Sequence, residues 1–185
     1  MPTFTFLVLY AFSPELILPL SWISLPFLFI TTFIIPIISI SILRVSGSIS
    51  SLKMENREER IVPFVFITLF YGMTTYLFIF KVGVNELVTV VFVSTTLLIV
   101  ILTVITSVFK ISIHAAGMSG VCGYLLCLCW KNPGSDLLYP FIVLVVLAGC
   151  VMAARLHLNA HRPVEILAGS LIGLTTCFSA LYWFA

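Results

Sequence analysis

LVTVVFVSTTLLIVILTVITSVF, residues 87–109, carries no charged side chain from end to end. A helix that spans a bilayer needs about 20 mostly apolar residues, and this run supplies them. Apolar and polar positions do not alternate along it, so it does not read as a strand of a membrane barrel. Stretches at 22–43, 62–80, 114–130, 137–154 and 164–184 read in the same way. Residues 1–20 are apolar too, but they hold Pro14, Glu15 and Pro19 and read as a short interfacial or re-entrant element. Pro36 is expected to kink the first full span. The fold class is therefore all-α: an integral membrane helical bundle of six full spans plus a short N-terminal apolar element, with 1–185 as a single transmembrane domain.

Composition agrees. Of the 185 residues 61% are hydrophobic and only 9% are charged, with a mean hydropathy of +1.23. Soluble domains carry about a quarter charged residues. There is no basic tail or basic patch, so no nucleic-acid partner is expected. The N-terminus lacks a basic segment and a small-residue cleavage site, so it does not read as a signal peptide. Cys122, Cys127, Cys129, Cys150 and Cys177 all lie in apolar runs and read as packing residues. The expected partners are the bilayer itself and a ligand drawn from it. Oligomeric state is not written in the sequence.

The polar residues gather in few places. The long hydrophilic loop is RVSGSISSLKMENREER, 44–60; the shorter ones are KVGVNE, KISIH and KNPGSD, and the last polar segment runs from Arg155 to Glu165. Counting crossings, the loops 44–61, 110–117 and 154–165 are each separated by two spans and fall on one membrane face. Together they hold all three histidines and seven of the nine basic residues. Ionisable groups in so apolar a chain are costly unless they face water, one another or a ligand. The basic excess on that face would put it in the cytoplasm by the positive-inside rule, but several of those charges are the candidate site itself, so the side stays open.

Within this set ARLHLNAHRPVE, 154–165, is the richest in chemistry. Glu165 follows His161 by four residues, one helical turn, and can lie beneath it. A carboxylate there holds one imidazole nitrogen and frees the other. Arg155 adds a cation whose fork suits phosphate. A plainer reading stands beside this one: Pro163 opens a helix and Glu165 is an acid of its first turn. Ser112 either caps the helix that starts near it or offers its hydroxyl to an anion. His114 opens the same span.

These residues resemble the three ordered motifs of the type 2 phosphatidic acid phosphatase superfamily. The first is Lys, six residues, Arg, Pro; here Lys53 is followed by six residues and Arg60. The second is Pro-Ser-Gly-His; here Ile111-Ser112-Ile113-His114 keeps the serine and the histidine. The third is Ser-Arg, five residues, His, three residues, Asp; here Ala154-Arg155 leads to His161 and Glu165. The resemblance spans about 53–165. Proline follows Arg60 only at Pro63, isoleucines replace Pro and Gly, Ala154 replaces Ser, and Glu165 replaces Asp. The chain is thus similar to a divergent member.

The resemblance implies a metal-independent phosphatase with no cofactor, acting on a lipid phosphate or a polyprenyl diphosphate. It makes His161 the nucleophile, Glu165 its orienting partner and His114 the proton donor. Lys53, Arg60, Ser112 and Arg155 would bind the phosphoryl oxygens. The expected setting is a bacterial cytoplasmic membrane. Three other readings remain: a lipid-phosphate binder or translocator that keeps the basic pocket, a haem or metal protein using His114 and His161, and a structural membrane protein with solvated loops.

Overall fold

The computed structural model describes residues 2–47 and 58–185, without the side chains of residues 58–60. Every regular element among them is helical. Helix α1, Pro2–Phe12, is short and apolar. A 3₁₀ turn at Pro14–Ile17 follows it. Helix α2, Ser24–Phe29, passes through a π-helical turn at Ile30–Ile34 into α3, Ile35–Val45. Then come α4, Glu58–Leu77, with a π turn at Phe78–Val82, α5, Glu86–Val108, and α6, Ile113–Lys131. The chain ends with α7, Leu138–His157, and α8, Pro163–Phe184. Six of these helical stretches are long and apolar enough to cross a membrane, beginning at Ser24, Ile61, Glu86, Ile113, Leu138 and Pro163. The protein is an integral, multi-pass membrane protein.

The expected spans hold to within a few residues, with one difference that matters. Helix α7 runs on to His157, so Arg155 sits in its last turn and not in a loop. Residues 2–12 form a helix whose Phe6 and Leu9 are fully buried against the bundle. At Pro36 the first full span deforms through the π turn just before it. Proline 36 has no amide to offer the Thr32 carbonyl one turn earlier. The Tyr71 hydroxyl of α4 donates to that oxygen at 3.2 Å. A carbonyl released inside a membrane has to find such a partner, because no water is there to replace it.

Helix α6 is the axis of the bundle. Its sequence, IHAAGMSGVCGYLLCLCWK, is rich in small residues, and most of it is buried. It packs most closely on α8, and the two run parallel. A Cβ on Gly169 would lie 2.5 Å from the Ser112 carbonyl oxygen, and one on Gly173 would fall onto the Ala116 carbonyl. From the other side, a Cβ on Gly120 would meet Cys177 Sγ at 2.9 Å and one on Gly123 the Leu174 carbonyl at 2.6 Å. Pairs advance by four residues on both helices, which is the spacing of one helical face. Lipid chains are as apolar as leucine, so burial alone does not drive helices together here; close backbone contact at small residues does.

The remaining helices attach by buried hydroxyls. Tyr124 Oη of α6 meets Ser94 Oγ at 2.7 Å and Thr95 Oγ1 at 3.0 Å on α5. Helices α4 and α5 join through Thr68–Thr103 at 3.0 Å and Thr75–Thr96 at 2.7 Å. These pairs make α4 and α5 antiparallel. Extended to the start of α4, the same register sets its first turn level with the α5–α6 connection. Helix α7 touches the rest chiefly through α6 and turns bare apolar side chains outward, Val146 60% exposed among them.

Gly173→Ala should therefore lower the stability of the detergent-solubilised protein by about 1–3 kcal/mol or more, since a backbone carbonyl cannot step aside as a side chain can. Gly149→Ala, with nothing within 4 Å of the added carbon, should leave it unchanged. Thermal unfolding of both variants checks the seam, and equal midpoints would contradict it.

Candidate active site

Residues 154–165 fold as the last turn of α7, a tight connection and the first turn of α8. The connection begins as a Schellman turn. The Leu158 amide donates to the Ala154 carbonyl at 3.0 Å, the Asn159 amide to Leu156 at 2.9 Å, and the Ala160 amide reaches back to Arg155 at 3.1 Å. Such a stop needs one left-handed residue, and Asn159 provides it at φ 49°. Asparagine is the usual substitute for glycine in that conformation. Arg162 then takes the extended N-cap position and Pro163 the first helical one, where a missing amide costs nothing. Residues 156–160, between Arg155 and His161, are thus the length of one helix stop and one helix start.

Glu165 is buried, and its Oε2 accepts two hydrogen bonds. His161 Nδ1 is 2.9 Å away and the Arg162 amide donates at 3.2 Å. Both readings of this glutamate hold at once: it is an acid of the helix start and the partner of the histidine. A carboxylate only accepts, so Nδ1 carries the hydrogen and Nε2 keeps its lone pair. Among the described residues Nε2 has no hydrogen-bond partner. The His161 side chain is 15% exposed.

The second segment joins this one through the backbone. The Ser112 amide donates to the Glu165 carbonyl at 3.2 Å. Ser112 is fully buried and caps α6, its Oγ accepting from the Ala115 amide at 3.4 Å. Of the two roles open to Ser112 in the sequence, capping uses an acceptor site of its oxygen and leaves the hydroxyl hydrogen for the other. Two residues on, His114 is exposed and lies within electrostatic reach of Arg155 and His161. Arg155 and Lys110 are half-buried, and both act on His161. His157 and Arg162 side chains are exposed and stand outside these contacts. Lys53 lies outside the described residues, as does the side chain of Arg60 in the first turn of α4. No three His, Cys, Asp or Glu among the described residues are grouped to hold a metal ion.

Burial draws the His161 imidazole below its ordinary value of 6.5. Glu165 opposes this through its hydrogen bond and its charge, while Lys110 and Arg155 push with burial. A lowered value leaves the ring neutral, hence nucleophilic, down to more acid pH.

A family model described as PAP2 superfamily matches residues 107–185. Over these residues the chain is similar to the PAP2 superfamily, and the match supports membership of it. The matched region holds Lys110, Ser112, His114, Arg155, His161 and Glu165; Lys53 and Arg60 precede it. The match supports a phosphoric ester hydrolase in general. Neither the search of curated proteins nor that of solved structures gives a match. Within the matched region, Lys110 belongs to the second polar segment but to none of the motifs, and Asn159 is no motif residue either. The first is signalled only by a cation at a span boundary, the second by an asparagine where a helix must stop.

If His161 is the nucleophile in turnover of a phosphate ester, the acid limb of kcat/KM should lie below pH 6.5, because burial lowers the value at which this imidazole titrates. Glu165→Gln removes the group that raises the imidazole, so the limb should move further down while kcat falls by about 10²–10⁴. It should also cost about 1 kcal/mol of stability, since the Arg162 amide loses its acceptor. Glu165→Asp shortens the reach to both partners and should lose activity too. Full turnover in Glu165→Gln would mean that the orienting group is elsewhere.

Proposed function

We propose that the protein is a membrane-embedded phosphatase that hydrolyses a lipid phosphate or a polyprenyl diphosphate through a phosphohistidine. The observation that carries this is the His161–Glu165 pair: Nδ1 held at 2.9 Å, Nε2 open, and Arg155 and His114 within electrostatic reach. His161 Nε2 attacks phosphorus in line. The N–P bond forms, the P–O bond to the lipid breaks, and His114 gives its proton to the leaving oxygen. A water then gives a proton to His114 and attacks phosphorus, the N–P bond breaks, and phosphate leaves with His161 restored. Glu165 orients the ring and balances the charge it gains. Arg155, with Lys53 and Arg60, offsets the charge on the phosphoryl oxygens, where preorganised cations do most of the work.

Ser112 enters this scheme as the cap that ties α6 to α8, its amide bound to Glu165 and its oxygen to Ala115. The helix start it caps presents backbone amides, which favour an anion. The loops 44–61, 110–117 and 154–165 share one membrane face in this reading. The antiparallel α4–α5 register supports it, since it brings the start of α4 level with the α5–α6 connection. A site at that face suits a ligand with its chain in lipid and its phosphate in water. A lipid-phosphate binder or translocator is the second reading, favoured by the replacement of the residues on either side of Ser112 with Ile111 and Ile113.

Phosphate release from a panel of lipid phosphates and diphosphates distinguishes the two. Turnover is expected in wild type and absent in His161→Ala and in Arg155→Ala, with both variants still folded. Near-normal activity in either one would sink the assignment, and tight binding without turnover in wild type would favour the binder. Activity should survive EDTA and fall with vanadate, which mimics five-coordinate phosphorus. A strict need for a divalent ion would overturn the metal-free mechanism.

A further inference from the structure

Lys110 belongs to none of the three motifs, yet the fold fixes it at the site. It lies in the short connection between α5 and α6. At one end of that connection the Phe109 amide donates to the Ile105 carbonyl at 2.8 Å. At the other the Ser112 amide donates to the Glu165 carbonyl at 3.2 Å. So the backbone two residues beyond Lys110 is bonded to the first turn of α8, which carries the partner of His161. The side chain is half-buried, and its charge acts on His161.

The charges around His161 are unequal. Lys110 stands on the α5–α6 connection, His114 on α6, Arg155 on α7 and Glu165 on α8. Glu165 Oε2 already serves the imidazole and the Arg162 amide. Among the described residues neither Lys110 nor Arg155 has an ion-pair partner. Two half-buried cations beside a neutral ring, at the edge of an apolar bundle, favour an anion among them.

We propose that Lys110 is a phosphate-contacting cation of this site, additional to Arg155 and to the motif residues Lys53 and Arg60. It gives the pocket a positive group from the α5–α6 connection, beside the one that α7 supplies. This assignment rests on the phosphatase reading for its substrate, a phosphate ester, but its binding chemistry can be read without turnover.

The test uses the full chain in detergent, as wild type, Lys110→Met and Lys110→Arg, with thermal midpoints showing that each is folded. The ring signals of labelled His161 are followed by NMR against pH, with and without inorganic phosphate. Removing a cation makes protonation easier, so Lys110→Met should move the His161 midpoint to higher pH. It should also weaken phosphate binding by about tenfold or more, the loss of one charge-assisted hydrogen bond. Lys110→Arg should restore both. With a lipid phosphate substrate, kcat/KM should fall in Lys110→Met and its acid limb should move up in pH. Wild-type phosphate affinity and an unmoved midpoint in Lys110→Met would overturn the proposal; that is the result expected of a lysine that only pairs with the acids at 55, 58 and 59. Phosphate binding that depends on Lys110, with no lipid phosphate hydrolysed by wild type, would leave Lys110 assigned and refute the phosphatase reading instead.

Discussion

The approach of α6 to α8 is the constraint on which the site depends. Two parallel helices whose backbones nearly touch at Gly169 and Gly173 have almost no freedom to slide. That contact puts the start of both helices at one end of the bundle and leaves the Ser112 amide within reach of the Glu165 carbonyl. His114 and His161 then face the same space although 47 positions of numbering separate them. In water a hydrophobic core could hold two helices together with looser tolerances. In lipid, packing at small residues does it, and packing is exact in position as burial is not.

Local chemistry was well written in the sequence. Residues 154–165 announce a helix start at Pro163, and one helical turn from His161 to Glu165 suffices to place the carboxylate; the stop at Asn159 shows only in the structure. Spans were legible because hydropathy and length are local too, and they misplaced Arg155 only by ending α7 a turn early. What was not legible depends on neighbours far along the chain. Nothing local says that Gly169 meets Ser112, or that Tyr71 answers the carbonyl that Pro36 releases. Lys110 reads as one more boundary cation until the backbone bond beyond it is known.

Glu165 carries two local tasks on one oxygen, and this accounts for the difficulty of separating them by sequence. The helix-start acid and the histidine partner are alternatives only if they need different atoms. Here Oε2 lies between the Arg162 amide and His161 Nδ1, so the cap fixes the carboxylate and the carboxylate fixes the ring. The extra methylene relative to aspartate lets the group fold back toward its own helix start, in the manner of a capping-box glutamate.

The way the helices are joined also bears on how such a chain can diverge. Helices α6 and α8 meet backbone to backbone, where one added carbon collides with a carbonyl. Helices α4 and α5 meet through threonine hydroxyls that each also reach a carbonyl of their own helix, Phe64 for Thr68 and Ile99 for Thr103, so one hydroxyl donates across the contact while the other donates within its helix. Loss of such a hydroxyl pair leaves no backbone group stranded, so drift there is cheap. The first contact is a lock with one key, the second a clasp that many residues can close. The family match over residues 107–185 takes in both helices of the locked contact and the Ser112–Glu165 bond that it holds in place.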